Sequence, residues 1–132
     1  MYESGENYLE TILMLKEKQG IVRSIDIARS LNFSKPSVSR AVGILKEEAY
    51  ITIEAGGEIE LTNKGYEKAA AIYERHQLLT TFLQQVSGVN REIAEEDACK
   101  MEHIISSEVF EGIKVFMKQV NGVGKKEHHD KN

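Results

Sequence analysis

The chain has 132 residues, of which 41% are hydrophobic and 29% are charged, and its formal net charge is −4. This length and composition suit one domain or two small lobes with a core that needs no disulfide, and the single cysteine, Cys99, excludes an internal one. The sequence has neither the roughly 20-residue apolar run of a membrane span nor a secretory signal, so no membrane association and a cytoplasmic location are expected.

Three helices are predicted in the first part of the chain. Apolar residues recur at helical spacing between residues 4 and 18, and Gly20 follows where a C-terminal cap is expected. A short second helix is predicted to begin at Ser24, an N-cap residue type. The third helix begins at Pro36, whose fixed φ suits a first turn. Its predicted buried stripe is Val38, Val42, Ile44 and Leu45.

A β-hairpin is predicted after the third helix. Apolar residues alternate in residues 50–54 and 58–61, on either side of a turn that contains Gly56 and Gly57. Helix, short helix, turn, helix and hairpin is the order of a winged helix-turn-helix. We therefore predict that residues 1–63 form a winged helix-turn-helix domain.

The rest of the chain is predicted to be helical. A long helix capped by Thr62 and Asn63 ends near Gly88, a second covers residues 91–106, and a third covers residues 108–120. Val109, Ile113, Phe116 and Met117 are predicted to face inward on the last one. Residues 64–120 therefore form a helical domain, and residues 121–132, which lack periodicity, form a disordered tail. The fold class is mainly α with a small β-hairpin wing.

Charge separates along the chain. Residues 23–46 carry five basic side chains and one acidic one, whereas residues 92–111 carry seven acidic side chains and one lysine. The first region suits phosphate groups and the second suits cations.

Within the acidic region, Cys99, Glu102 and His103 occupy positions i, i+3 and i+4 and share one helix face. Thiolate, carboxylate and imidazole are common transition-metal ligands, so this face is a candidate metal site. The alternative is structural. Cys99 would then be a buried inert thiol, and Glu102 and His103 would pair with other polar groups.

Five segments carry a resemblance to a known family: ENYLETI at 6–12, SKPSVS at 34–39, LTNKG at 61–65, RHQLL at 75–79 and DACKMEH at 97–103. Together they resemble the metal-dependent repressors of the diphtheria toxin repressor and manganese transport regulator type (DtxR/MntR), nearly end to end. The chain is similar to the short form without the additional C-terminal barrel domain. The resemblance implies a homodimeric DNA-binding repressor activated by a divalent metal, with a C-terminal dimerisation and metal-binding domain, and not an enzyme.

The resemblance also implies a ligand set. Carried over residue by residue, the metal ligands are Asn7, Glu10, His76, Cys99, Glu102 and His103. At the positions of the second metal site of iron-type members, this chain has Thr80 and Glu95, and Glu95 is retained as a candidate ligand. Mixed thiolate and oxygen ligands favour Fe(II), then Mn(II), while Zn(II), Co(II) and Ni(II) are expected to bind in vitro.

DNA contacts are predicted at the start of the third helix. The candidate residues are Ser34, Lys35, Pro36, Ser37, Ser39 and Arg40. Arg40 suits a bidentate contact with guanine and Lys35 suits a phosphate, whereas the alternative is an ordinary solvated helix start. The expected partner is a double-stranded, palindromic operator. Glu54 and Glu58 flank the wing tip, so the wing is expected to contribute little to DNA binding.

Two other functions stay open at this point. One is a winged-helix regulator that responds to a small ligand or partner without a metal. The other is a metalloenzyme, against which stands the lack of an H-E-x-x-H motif, a nucleophile elbow or a glycine-rich phosphate loop.

Overall fold

The computed structural model describes the backbone from Glu3 to Asp130 and the side chains from Ser4 to Gly122. The elements in chain order are α1 (Glu3–Gln19), α2 (Ser24–Leu31), α3 (Lys35–Glu47), β1 (Ile51–Ile53), β2 (Ile59–Leu61), α4 (Asn63–Ser87), α5 (Arg91–Met101) and α6 (Ser107–Asp130). The chain divides into two compact units, of which the first extends to Tyr73 and the second begins at Glu74. Within the described residues, no helix has the length and apolar character needed to cross a membrane.

The first unit contains the predicted helix-turn-helix. The N-cap of α2 is Arg23 rather than Ser24, because the Asp26 carboxylate accepts the Arg23 backbone N–H at 2.8 Å. Asn32 ends α2 in the left-handed conformation, with φ 57°. Ser34 caps α3, and its Oγ accepts the backbone N–H of Ser37 at 3.3 Å.

The hairpin follows α3 as the sequence predicted. Strands β1 and β2 are antiparallel, with Ile51 opposite Leu61 and Ile53 opposite Ile59. The turn closes through a hydrogen bond from the Glu54 N–H to the Glu58 carbonyl oxygen at 2.8 Å. Ile51 and Ile59 are buried and join the core of the first unit.

That core is built from one face of each helix. Its buried members include Leu9, Ile12, Val22, Ile27, Val38, Val42, Leu45, Ile51, Ile59 and Ala69. The prediction that Ile44 belongs to the stripe is wrong, since 50% of its surface is exposed. On a helix that advances about 100° per residue, Ile44 lies about 120° away from the face that Val38, Val42 and Leu45 share.

The junction between the hairpin and α4 requires a glycine at position 65. Thr62 Oγ1 accepts the Gly65 N–H at 3.0 Å and donates to the Ala49 carbonyl oxygen at 2.6 Å. A Cβ at position 65 would overlap the carbonyl oxygen of Tyr50. The start of α4 is therefore held directly against the end of the segment that links α3 to β1.

The boundary between the units lies inside α4 and not before it. Ala69 is fully buried in the core of the first unit, and Ala70 and Tyr73 pack against that core. The first turns of α4 thus belong with the winged helix, ten residues beyond the predicted boundary at residue 63.

The second unit is built from the rest of α4, α5 and α6. Leu79, Ala98 and Phe110 are its buried core, and Asn90 Oδ1 caps α5 by accepting the Ile93 N–H at 2.9 Å. Helix α5 ends at Met101, before the predicted end at residue 106. Helix α6 continues to Asp130, although the sequence predicted a disordered tail from residue 121. The last two residues of that predicted tail, Lys131 and Asn132, lie outside the described residues.

Two residues of α6 are more exposed than predicted. Met117 is buried, but Val109 and Phe116 are 53% and 47% exposed. At helical spacing, Val109, Phe116 and Val120 share one face, which is displaced from the face that buries Phe110 and Met117. The expectation that Val109 and Phe116 point into the core is therefore wrong for the single chain.

Candidate metal centre

The candidate centre begins at the C-terminal end of α5. The Glu102 N–H still donates to the Ala98 carbonyl oxygen at 2.9 Å, but the Ile104 N–H donates to that of Met101 at 3.1 Å. The backbone thus tightens from i−4 to i−3 hydrogen bonds immediately after the helix. Glu102 and His103 stand on this turn and not within the helix.

This turn brings together the three residues that the sequence singled out. One ligand atom from each of Cys99, Glu102 and His103 lies within 4.8 Å of the others. Cys99 lies on the last turn of α5, and Glu102 and His103 follow the end of the helix. The three side chains nevertheless stay together, as their i, i+3, i+4 spacing predicted.

Helix α4 adds His76 to the group. His76 Nδ1 lies 3.7 Å from Glu102 Oε1, and His103 Nε2 lies 3.6 Å from the same oxygen. The side chains of Glu102 and His103 are 1% and 3% exposed, and that of His76 is 11% exposed. Two imidazoles therefore face one buried carboxylate.

These residues fit a divalent transition metal. Neither carboxylate oxygen of Glu102 accepts a hydrogen bond from the residues that the structure describes, and both are buried. A buried carboxylate without hydrogen bonds lowers the stability of the fold by roughly several kcal/mol unless a cation compensates its charge. Ligand atoms that share one ion at bond lengths of about 2.1 Å lie roughly 3.0–3.5 Å apart, close to the observed nitrogen-to-oxygen distances.

The side chains at the positions of the iron-type second site have other partners. The fully buried Thr80 uses its hydroxyl as a donor to the His76 carbonyl oxygen at 2.8 Å. Glu95 pairs with Arg91 at 2.8 Å, and its side chain is 44% exposed. Glu95 is therefore not part of the group formed by His76 and the α5 turn.

The remaining two predicted ligands belong to the first unit. Asn7 and Glu10 lie three residues apart on α1, on one face of the helix. Asn7 is half-buried and Glu10 is 4% exposed. A charged side chain buried to this extent is rare in proteins unless it is paired or binds a cation.

The predicted DNA-contacting residues lie together at the start of α3. Ser34, Lys35, Pro36, Ser37, Ser39 and Arg40 are all exposed. Val38, between them, is fully buried and fixes the helix to the core. The first two turns of α3 thus present hydroxyl and cationic groups to the surroundings, as a helix that reads DNA requires.

One residue near the centre was not found from the sequence. Arg75, next to His76 on α4, donates from Nη2 to the Glu102 carbonyl oxygen at 2.9 Å. No pattern in the sequence around Arg75 distinguishes it from an ordinary solvated arginine on a long helix. Its partner lies 27 residues away and only the fold reveals it.

Comparison with known proteins agrees with this arrangement. Residues 1–57 match the model of the iron dependent repressor N-terminal DNA binding domain. Residues 62–130 match the iron dependent repressor metal binding and dimerisation domain.

Individual relatives are similar to this chain over most of its length. An uncharacterized HTH-type transcriptional regulator of Methanocaldococcus jannaschii is 35% identical over 90% of this chain and 96% of its own length. The iron-dependent repressor IdeR of Mycobacterium leprae is 31% identical over 83% of this chain but 47% of its own. The solved structure of the manganese regulator SloR superimposes with a TM-score of 0.76 at 28% identity, covering 86% of this chain and 53% of that one.

The chain therefore spans about half the length of IdeR and SloR and almost all of the Methanocaldococcus protein. Both units are matched, in the same order and over nearly all the residues present. The resemblance seen in the sequence is confirmed, and the chain belongs to the iron-dependent repressor family.

Proposed function

We propose that this chain is a homodimeric transcriptional repressor that binds operator DNA when a divalent metal, Fe(II) first and Mn(II) second, occupies the α5 turn. The observation that carries the proposal is the buried Glu102 carboxylate, which faces two imidazoles and accepts no hydrogen bond from the described residues. The family is one of repressors, so no enzymatic activity is proposed.

His76, Cys99, Glu102 and His103 are the residues that would hold the ion in the second unit. From the resemblance, Glu10 and Asn7 of α1 are proposed to complete the ligand set. The ion would supply positive charge to the buried carboxylates. The thiolate and imidazoles favour Fe(II) over Mn(II), while carboxylate and amide oxygens suit both ions.

Ligands from α1 and from the second unit would make metal occupancy a link between the winged helix and the dimerising unit. Restricting the two recognition helices of a dimer to the spacing of successive major grooves favours DNA binding. By linkage, operator DNA must increase the affinity for metal by the same factor by which metal increases the affinity for DNA. The corresponding coupling free energy is typically about 1–3 kcal/mol.

The exposed start of α3 leads to a prediction about DNA. Arg40→Ala is expected to weaken specific binding by about 1–3 kcal/mol and to relax sequence preference at one position. Lys35→Ala is expected to weaken binding to all sequences alike and to reduce the slope of log K against log salt by about 1. Fluorescence anisotropy with operator and random duplexes at several salt concentrations measures both effects.

Lys18→Ala is the matched control, because Lys18 is an exposed lysine near the end of α1 in the same unit. It should change neither the affinity nor the salt slope. Equal effects of Arg40→Ala on operator and random duplexes would contradict a base-reading role for Arg40.

The α6 surface supports a homodimer. Val109, Phe116 and Val120 are about half exposed and lie on one face, and Phe116 packs edge-on against Phe82 of α4. Contiguous exposed apolar surface of this kind marks a protein-protein contact. The matched domain model describes this part of the chain as a dimerisation domain.

Val120→Glu is therefore expected to shift the protein from dimer to monomer, because it places a charge within an apolar interface. Sedimentation equilibrium should show a dimer dissociation constant raised by about tenfold or more. Lys118→Glu, an exposed position on another face of α6, is the control and should leave the dimer intact. A Val120→Glu protein that remains fully dimeric would exclude this face from the interface.

Selection of duplexes from a random library tests the proposed function as a whole. With Fe(II) under anaerobic conditions, we expect enrichment of one inverted-repeat sequence. With chelator, we expect none. Enrichment of the same sequence in both conditions would indicate the alternative, a regulator that does not respond to metal.

A further inference from the structure

We propose that Arg75 is a positioning residue for the metal centre, which holds the backbone of the Glu102 turn in the geometry that presents Glu102 and His103 to an ion. This inference rests on the proposed function, because it concerns the same centre. Arg75 itself is not proposed as a ligand, since a guanidinium carries a permanent positive charge and offers no lone pair.

The first argument is where the Arg75 side chain makes its hydrogen bond. Its Nη2 donates to the backbone carbonyl oxygen of Glu102, at 2.9 Å, just beyond the last turn of α5. Carbonyl groups at a helix C-terminus lack partners within the helix and carry partial negative charge. A positively charged donor makes a stronger hydrogen bond to such a carbonyl group than a neutral donor does. Arg75 therefore stabilises this end of α5.

The second argument is how the guanidinium is held. Its Cζ lies 4.8 Å from the centre of the Phe110 ring, and Phe110 is 8% exposed in the core of the second unit. Arg75 Nε is buried and makes no hydrogen bond to a described residue. A guanidinium fixed by a buried ring on one side leaves its Nη2 little freedom, and the Glu102 carbonyl oxygen is held accordingly.

The third argument is that two consecutive ligands lie on this short turn. Glu102 and His103 are consecutive, and α5 has already ended at Met101 when they occur. Their side-chain directions depend on a short turn rather than on a continuous helix. Ordered ligands bind an ion more tightly than mobile ones, and outer partners of ligands typically contribute about 10- to 100-fold in metal affinity.

The test compares Co(II) binding by the full chain carrying Arg75→Met, Arg75→Lys or Arg91→Met, each read from the thiolate-to-metal absorption band. Arg75→Met keeps an unbranched apolar stem without a donor, and its affinity should fall about tenfold while the band keeps its position. Arg75→Lys restores a donor and should recover most of the loss. Arg91→Met removes an arginine that pairs with the exposed Glu95, away from the centre, and should bind like the unchanged protein.

The outcomes separate this inference from the proposed function. If the unchanged protein does not bind Co(II), by this band or by isothermal titration, both are overturned. If it binds Co(II) and Arg75→Met binds equally tightly, the positioning role alone is overturned. Should Arg75→Met fail to fold, Phe110→Leu decides, because it frees the guanidinium while leaving the donor, and unchanged Co(II) affinity there overturns the role.

Discussion

Replacing Glu102 with glutamine is expected to weaken metal binding by about 100-fold or more and to abolish metal-dependent DNA binding, while the metal-free protein remains folded. Glu102 is the residue that both imidazoles of the centre face. Even outer partners of metal ligands contribute about 10- to 100-fold, so the loss of this charged ligand should exceed that range. Isothermal titration with Mn(II) and absorption titration with Co(II) measure the effect.

The stability of the metal-free protein should not fall with this substitution. The substitution removes a buried charge that accepts no hydrogen bond from the described residues, so the unfolding temperature without metal should stay the same or rise. Glu95→Gln is the control from helix α5, which precedes the turn, because Glu95 is half exposed and pairs with Arg91. A Glu102→Gln protein with normal metal affinity would show that Glu102 is not a ligand.

Gly65→Ala is expected to destabilise the winged-helix unit by about 3 kcal/mol, which is at the upper end of the usual cost of overpacking. The added Cβ would overlap the Tyr50 carbonyl oxygen, which belongs to the backbone and has little room to move. That oxygen also accepts the Thr62 N–H at 3.1 Å, so a displacement would disturb the entry into α4. Thermal unfolding should show a fall of about 15 °C for a unit of this size.

Gly43→Ala is the matched control, since Gly43 lies within α3 and a Cβ at this position would meet no atom within 4 Å. Alanine in a helix interior is better than glycine by about 0.5–1 kcal/mol, so this variant should be slightly more stable. If both variants unfold at the same temperature as the unchanged protein, the close approach at Gly65 carries no energetic weight.

Much of the fold follows from local patterns in the sequence. The apolar spacing of α1, Pro36 at the start of α3 and the glycines between β1 and β2 each predict an element that the structure contains. Local chemistry suffices for these because helix periodicity, capping and turn conformation depend on neighbours within a few residues.

The sequence-based predictions are wrong where the structure depends on contacts between residues that lie far apart in the sequence or on other chains. Helix α5 ends at Met101, before the predicted end at residue 106, and the Glu102 carbonyl oxygen just beyond it accepts a hydrogen bond from Arg75 of another helix. Val109 and Phe116 have core residue types but lie on the outer face of α6. Periodicity reports that a face is apolar, and it does not distinguish burial within one chain from burial between two chains.

The candidate centre shows the same division. Spacing alone found Cys99, Glu102 and His103, because all three stand within two turns of one segment. His76 came only from the family resemblance, since the contact that brings it to Glu102 spans two helices. The same resemblance suggested Glu95, which the structure places on the exposed side with Arg91.

The central claim is that the α5 turn binds a divalent metal, and anomalous scattering from crystals grown with Fe(II) tests it most directly. The account predicts a peak at the iron absorption edge within bonding distance of the Glu102 carboxylate, with His76, Cys99 and His103 as neighbours. Crystals with no peak at this turn, or with iron bound only elsewhere on the chain, would contradict it.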